Sequence, residues 1–146
     1  MPITILNQQS RKVGRLRLRR VARAVMAAEG GHPRAELNVV IGDDAWIQDL
    51  NKTYHGVETP TDVLAFPQDL APEGENPLLG DIAISAETAE RQARDLGHTL
   101  GRELEILLAH GLLHLTGWED STPARRRRMM TRALTLLSEL GEAESP

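Results

Sequence analysis

The chain has no cysteine among its 146 residues. Disulfide staples and thiolate metal sites are therefore excluded, and any metal it binds must be held by nitrogen and oxygen. Aromatic residues are nearly as scarce: Trp46, Tyr54, Phe66 and Trp118 are the whole set. Trp46 and Phe66 sit in apolar patterns that bury them, which leaves too few rings for the stacking sheet of an RNA-recognition motif. No apolar run approaches the roughly 20 residues that span a bilayer. The opening Met1-Pro2-Ile3-Thr4-Ile5-Leu6-Asn7-Gln8 has no charged region leading into an apolar core of signal-peptide length. These absences point to a soluble, cytoplasmic protein without a membrane partner. The length suits one domain, residues 1–146, burying about two thirds of its unfolded surface. No linker, internal repeat or low-complexity segment divides it.

What is present is patterned. Ile3 to Asn7 reads as a first strand, and Val13 to Glu29 as a helix with Leu18, Val21, Val25 and Met26 on one face, stopped by Gly30-Gly31. Glu36 to Ile41 alternates before turning apolar, as a half-buried strand does. Asp43-Asp44 caps a short helix that carries Trp46, Ile47 and Leu50 inward. Thr61 to Phe66 and Leu79 to Ser85 read as further strands, separated by a surface loop from Pro67 to Pro77 that holds three prolines. Ala86 to Leu96 reads as an exposed helix, and Gly97 parts it from the next. Thr122, with Pro123 at the first helical position, opens a last helix with Met129, Leu134, Leu137 and Leu140 apolar, ending near Gly141 before a frayed tail from Glu142 to Pro146. Strands first and helices later predict an α+β fold with one small sheet.

The densest chemistry lies in His110-Gly111-Leu112-Leu113-His114-Leu115-Thr116-Gly117-Trp118-Glu119-Asp120. Residues Arg102 to Ala109 contain no breaker, and Leu104, Leu107, Leu108 and Leu112 recur at helical spacing. His110 and His114 are then i and i+4 neighbours on a helix, with Cβ atoms roughly 5–6 Å apart, and both imidazoles can face one metal ion. Gly117 permits a sharp exit that swings Glu119 or Asp120 back toward them. A histidine pair alone in a leucine-rich helix is also compatible with ordinary core or surface residues. Two imidazoles plus a carboxylate, with a position left open, are the ligand count of a catalytic zinc site. Zinc peptidases of the His-Glu-x-x-His type carry a general base directly after the first histidine, where this chain has Gly111.

Charge is uneven although the net value is only −4. Between Arg11 and Arg34 eight basic residues stand against one acidic residue, Glu29. Arg15, Arg19 and Arg23 lie one helical turn apart and would follow a phosphate backbone, or would form a solvated face balanced by the acidic middle of the chain. Arg125 to Arg128 occupy the first turns of the last helix, where the helix field disfavours cations by about 0.3–1 kcal/mol. A nearby anion, either RNA or Glu119 and Asp120, would offset that.

The segment from His110 resembles the His-Gly-x-Leu-His-Leu-x-Gly-Tyr-Asp-His signature of the YbeY family, metal-dependent endoribonucleases of ribosomal RNA maturation. Leu50-Asn51-Lys52-Thr53-Tyr54, Thr61-Asp62-Val63-Leu64-Ala65-Phe66-Pro67 and Gly80-Asp81-Ile82-Ala83-Ile84-Ser85 resemble the family's other blocks in the family's order, so the resemblance covers about residues 36 to 130. It implies a small four-stranded mixed sheet packed by about five helices, zincin-like, with the His-bearing helix central. It also implies one ion, Zn²⁺ or another divalent transition metal, on His110, His114 and Asp120, the last standing where the family usually has a third histidine. His55 stands where the family usually has an arginine. It would take the catalytic place as a cation on the scissile phosphate or as a proton shuttle, since histidine changes charge near neutral pH; the alternative is an inert loop residue. Trp118, at the family's tyrosine position, is expected to pack the metal loop against the helix. Asp62 and Asp81 read as turn residues before partners of the site, and His32 and His98 receive no role.

The resemblance therefore implies a single-strand-specific, metal-dependent endoribonuclease hydrolysing RNA phosphodiester bonds in ribosomal RNA maturation and ribosome biogenesis. Its partners would be precursor RNA and the ribosome or a ribosomal subunit. An open zinc site polarises a phosphoryl oxygen and lowers the pKa of its water from 15.7 to about 7; attack by a ribose 2′-hydroxyl is the other route. Two further readings stay open: a ribosome-assembly binding protein whose metal is structural, and a zinc peptidase, against which Gly111 and the basic helix count.

Overall fold

The computed structural model describes residues 2–31, 34–67 and 78–141. The expected loop beyond Pro67, His32 and the tail from Glu142 lie outside the described residues. In chain order the elements are β1 (Ile3–Asn7), α1 (Arg15–Ala28), β2 (Glu36–Gly42), α2 (Asp44–His55), β3 (Val63–Pro67), β4 (Leu78–Ser85), α3 (Ala86–Leu96), α4 (Leu100–Leu115) and α5 (Pro123–Leu140). No helix among the described residues is long and apolar enough to cross a membrane.

Short polar side chains set the helix starts. Asp43 accepts a hydrogen bond from the Trp46 backbone N–H at 2.9 Å, Ser85 from Thr88 at 3.2 Å, Thr99 from Arg102 at 3.1 Å and Thr122 from Arg125 at 3.1 Å. Each satisfies one N–H that the first helical turn leaves without a partner. The sheet runs β1-β2-β4-β3. β1, β2 and β4 are parallel, and β3 closes one edge antiparallel to β4, with Val63 opposite Ile84. The sheet is mixed, as the resemblance implies.

Strand alternation then divides the residues between two faces. Ile5, Leu37, Val39, Ile41, Ile82 and Ile84 point into the main core, beside the inner stripes of α1, α3, α4 and α5. Ile47, Leu64 and Ala83 form a smaller cluster where α2 covers the other face. α4 is the most enclosed helix: it touches α1, α3, α5, β3 and β4, and Leu104, Leu108, Leu112 and Leu113 are fully buried. Each such leucine contributes about 1.5–3 kcal/mol through burial. The His-bearing helix is thus central.

Several local expectations are corrected. α1 starts at Arg15, after Gly14, not at Val13. α3 is not an exposed helix, since Ala86, Ala89 and Ala93 are buried and their small side chains let it lie close to α4. On α5 the inner stripe is Met129, Ala133, Leu136 and Leu137, whereas Leu134 is 39% exposed. Trp46 and Phe66 are half-buried against the smaller cluster, not enclosed.

Candidate metal centre and active site

The buried stripe of α4 leaves His110 and His114 on the adjoining stripe, at the rim of the core. Their rings are edge to face, with centroids 4.9 Å apart. Gly111 sits between them on the buried side, and a Cβ there would stand 3.2 Å from Ile82 and 3.3 Å from Val63. The helix lies close against the sheet at this point, and a side chain there would make Ile82 and Val63 give by a few tenths of an ångström. With glycine after the first histidine, the chain lacks the base that the peptidase arrangement carries there.

α4 ends by folding back on itself. The Thr116 hydroxyl donates to the carbonyls of Leu112 and Leu113, and Gly117 takes a φ of 104°, which favours glycine. The next residue fixes the loop: the Trp118 backbone N–H donates to Leu113 O at 3.0 Å, and its indole Nε1–H donates to Glu29 Oε2 at 3.0 Å. Glu29, just past the end of α1, also accepts from Arg132 Nε at 2.8 Å. Burial pushes the Glu29 carboxyl up, but the bonds from Arg132 and Trp118 and the Arg132 charge outweigh it, leaving its pKa below the ordinary value. Trp118 thus packs the loop as expected, through a tie to α1 and α5 that the motif does not display.

With the loop pinned, Asp120 Oδ2 stands 3.2 Å from His114 Nε2 and 3.7 Å from His110 Nε2. Glu119, the other carboxylate that the spacing leaves open, turns outward to Arg125 Nη1 at 2.6 Å. His110, His114 and Asp120 form a group that could hold a metal ion, with one ligand atom from each and all three within 4.8 Å of one another. Nitrogen and oxygen ligands on a tetrahedral ion stand about 3.3 Å apart, so the donor set fits with little closure. Burial, and next the neighbouring His114, push the His110 pKa below its ordinary value, while Asp62 and Asp120 oppose this. A neutral imidazole is the form that coordinates a metal.

These residues line a cleft of about 370 Å³ whose other polar lining comes from His55, Thr61 and Asp62. His55 closes α2. Its Nδ1 lies 3.2 Å from Asn51 Oδ1, and its ring stacks on Phe66 with 10° between the planes. Asn51 is buried and gives its own Nδ2–H to Thr59 O at 2.9 Å, so its Oδ1 is the acceptor and His55 Nδ1 carries the proton. Asp62 is more than the turn residue its sequence position suggests. It does accept the Val63 N–H at 2.7 Å, but its other oxygen accepts from Gln92 at 3.3 Å, and the carboxylate lines the cleft and acts on His110. Its place in the Thr61–Pro67 block is the only sequence signal for it. Asp81 instead accepts from Asn38 on the neighbouring strand at 3.1 Å, and His98 meets Glu103 at 3.2 Å.

The basic helix is divided. Arg11 pairs with Glu90, and Arg17 turns inward to Glu105 at 3.0 Å and to the carbonyl of Gly141. Arg15, Arg19 and Arg23 have no hydrogen-bond or ion-pair partner among the described residues, and none of them lines the cleft.

The chain is similar to known proteins over nearly its whole length. The family model described as Endoribonuclease YbeY matches residues 4–141. The Endoribonuclease YbeY of Moorella thermoacetica is 45% identical over 132 residues, covering 85% of each chain. That of Mycolicibacterium smegmatis is 38% identical over 147 aligned positions, covering 95% of this chain and 83% of the relative. The solution structure of TM1509 from Thermotoga maritima superposes with a TM-score of 0.65 at 26% identity, covering 94% of this chain and 88% of that one.

Proposed function

The chain belongs to the endoribonuclease YbeY family, and from that premise we propose that it is a metal-dependent endoribonuclease, specific for single strands, acting in ribosomal RNA maturation. The observation that carries the reading is the convergence of His110, His114 and Asp120 on one side of an open cleft. A zinc or similar divalent ion held by these three would polarise a phosphoryl oxygen and acidify a water beside it. A purely structural ion calls for a fourth protein ligand, and only three such groups converge among the described residues.

The protein's own contribution follows from the cleft. Asp120 and the two imidazoles fix the ion's position, and His110, kept neutral by burial, presents a lone pair without first losing a proton. His55 is the catalytic residue of the reading. With Nδ1–H given to Asn51, Nε2 is the nitrogen that can take a proton from an attacking hydroxyl or water, or give one to the leaving oxygen. Asp62, held by Val63 and Gln92, lines the cleft beside His110, where a carboxylate adds to the attraction for a cation. Arg15, Arg19 and Arg23, outside the cleft, would meet the phosphates of a longer substrate such as precursor RNA on a ribosomal subunit. The setting proposed is the cytoplasm.

The test is metal analysis of the pure chain paired with cleavage of single-stranded and duplex RNA, with His114→Ala as control. About one zinc per chain, cleavage confined to the single strand and loss of both in the variant are expected. Cleavage that survives in His114→Ala would overturn the assignment. For the α1 arginines, replacing Arg15, Arg19 and Arg23 by Gln should flatten the salt dependence of RNA binding by about 0.7 log units for each phosphate no longer neutralised. An unchanged slope returns them to a solvated face.

A further inference from the structure

The arginine run that opens α5 is not used up by the metal loop. Arg125 gives its Nη1–H groups to Glu119 and Ser121. The guanidinium groups of Arg126, Arg127 and Arg128 have no hydrogen-bond or ion-pair partner among the described residues. Three successive cations without a partner concentrate positive charge on the opening of α5. An anion that arrives from outside would be attracted there.

Two of these cations also border a shaped surface. Arg127 and Arg128 wall a groove of about 480 Å³ on α5, together with Trp118, Thr131 and Arg132. The groove reaches from Ala124 to Thr135, about 17 Å of helix at 1.5 Å per residue. Its lining is of two kinds. Arg132 and the Trp118 indole are both held by Glu29, at 2.8 and 3.0 Å, so they are anchored and charge-compensated, and the ring is half-buried. Arg127 and Arg128 have no such partner among the described residues. A fixed ring beside free guanidinium groups is what a single strand uses, since bases stack on aromatic and guanidinium planes while phosphates pair with the cations.

One loop joins the groove to the cleft: Trp118 lines the first and Asp120 the second, and they are two residues apart, so at most about 7 Å of chain separates them. We propose that the Arg127–Arg128 face of α5, with the edge of Trp118, is a second binding site for single-stranded RNA and holds the part of the strand flanking the nucleotides in the metal cleft. This rests on the endoribonuclease reading and adds to it that substrate affinity depends on strand length. An acidic polypeptide would satisfy the cations, but its carboxylates carry no base plane to stack on the ring.

The test compares Arg127→Gln/Arg128→Gln with its parent, using one RNA of a few nucleotides that fills only the cleft and one several times longer. Binding is read by fluorescence anisotropy across a salt series, in the full chain carrying His114→Ala so that no strand is cut. Leaving two phosphates without their cations should lower affinity for the long strand about tenfold near physiological salt and flatten the salt slope by about 1.4, with the short strand unaffected. In the active chain the same pair should raise KM for the long strand and leave kcat and metal content unchanged. Unchanged affinity and slope on the long strand would overturn the proposal. So would polyglutamate binding that depends on Arg127 and Arg128 while RNA binding does not. The two readings separate cleanly: an active chain that cuts RNA with an unaltered slope loses the groove and keeps the nuclease. A chain that cuts nothing yet binds long RNA through these arginines keeps the groove and loses the nuclease.

Discussion

His98 and His114 lie at opposite ends of α4, and each places Nε2 3.2 Å from a carboxylate oxygen. The distances are equal, yet the surroundings are opposed. Glu103, the partner of His98, is 4% exposed, and no third ligand converges on that pair among the described residues. Asp120, the partner of His114, is 41% exposed, has His110 3.7 Å away and opens onto the cleft. The first pairing locks the N-terminal end of α4 to the turn before it; the second belongs to a group that could hold a metal ion. Distance alone does not distinguish a lock from a site. The number of convergent lone pairs and the space in front of them do.

The comparison breaks most directly through metal content. His114→Ala and Asp120→Ala should lose divalent metal on dialysis, with affinity falling further than the 10–100-fold that removal of a supporting partner costs. His98→Ala and Glu119→Ala should keep it. If Asp120→Ala retains full metal while Glu119→Ala loses it, the third ligand is Glu119 and the coordination geometry is misassigned.

The next effect concerns what makes the two ends of α4 different. Glu29 holds the metal loop through Trp118 and holds α5 through Arg132. Glu29→Gln should cost about 1.5–3 kcal/mol, the range for hydrogen bonds to a charged group, and should weaken metal binding about tenfold because the loop's outer support is gone. The pH dependence has a definite sign. Because the folded pKa of Glu29 lies below its ordinary 4.5, its contribution is fully present above that value and is lost as pH falls through the lowered folded value. Urea unfolding at pH 7 and below pH 4.5 should show the variant's deficit shrinking in acid. A deficit independent of pH would mean that the charge of Glu29 is not what holds the loop.

How much of this is legible in the sequence follows from where the information lies. His110 and His114 are readable because the i, i+4 relation is local and the leucine stripe sets the helical phase. The choice between Glu119 and Asp120 is not, because it depends on Trp118 being held by a residue 89 positions away. The same limit applies to Asp62, whose place in the cleft exists only once β3 lies beside α4. The inner stripe of α5 differs from its periodicity-based expectation because Leu134 and Leu136 are both apolar, and only packing against α4 selects Leu136. In the sequence Gly111 marks only a missing base; its close approach to Ile82 and Val63 appears only in the folded chain. Strand order is out of reach, since β1-β2-β4-β3 is a pairing between distant segments.

A smaller effect sharpens the other half of the comparison. His98→Ala leaves the Glu103 carboxylate buried without its partner, at a cost within about 1–3 kcal/mol. The lower part of that range is expected, because the His98 side chain is 25% exposed and water can follow it in. Measured in metal-free buffer, His114→Ala should cost less, since Asp120 already faces water. Equal costs would show that the two pairings stabilise the fold alike and that burial is not what separates them.

The smallest effect on the fold belongs to a third histidine with a partner at 3.2 Å, this time an amide: His55 Nδ1 to Asn51 Oδ1. His55 is exposed, so water can replace the imidazole at Asn51, whose other bond, to Thr59, is untouched. His55→Ala should therefore stay within about 0.5 kcal/mol of the parent in urea unfolding, as ordinary surface changes do, with metal content equal to the parent's. Its effect should appear only in RNA cleavage, because the Nε2 that the Asn51 bond leaves available for proton transfer is gone. His55→Arg separates the two possible roles. A guanidinium can hold a phosphate but cannot shuttle a proton at neutral pH, so activity retained in His55→Arg and lost in His55→Ala assigns a charge-holding role, whereas loss in both assigns proton transfer. Cleavage at the parental rate in His55→Ala would remove His55 from catalysis and leave the chemistry to the metal ligands and Asp62.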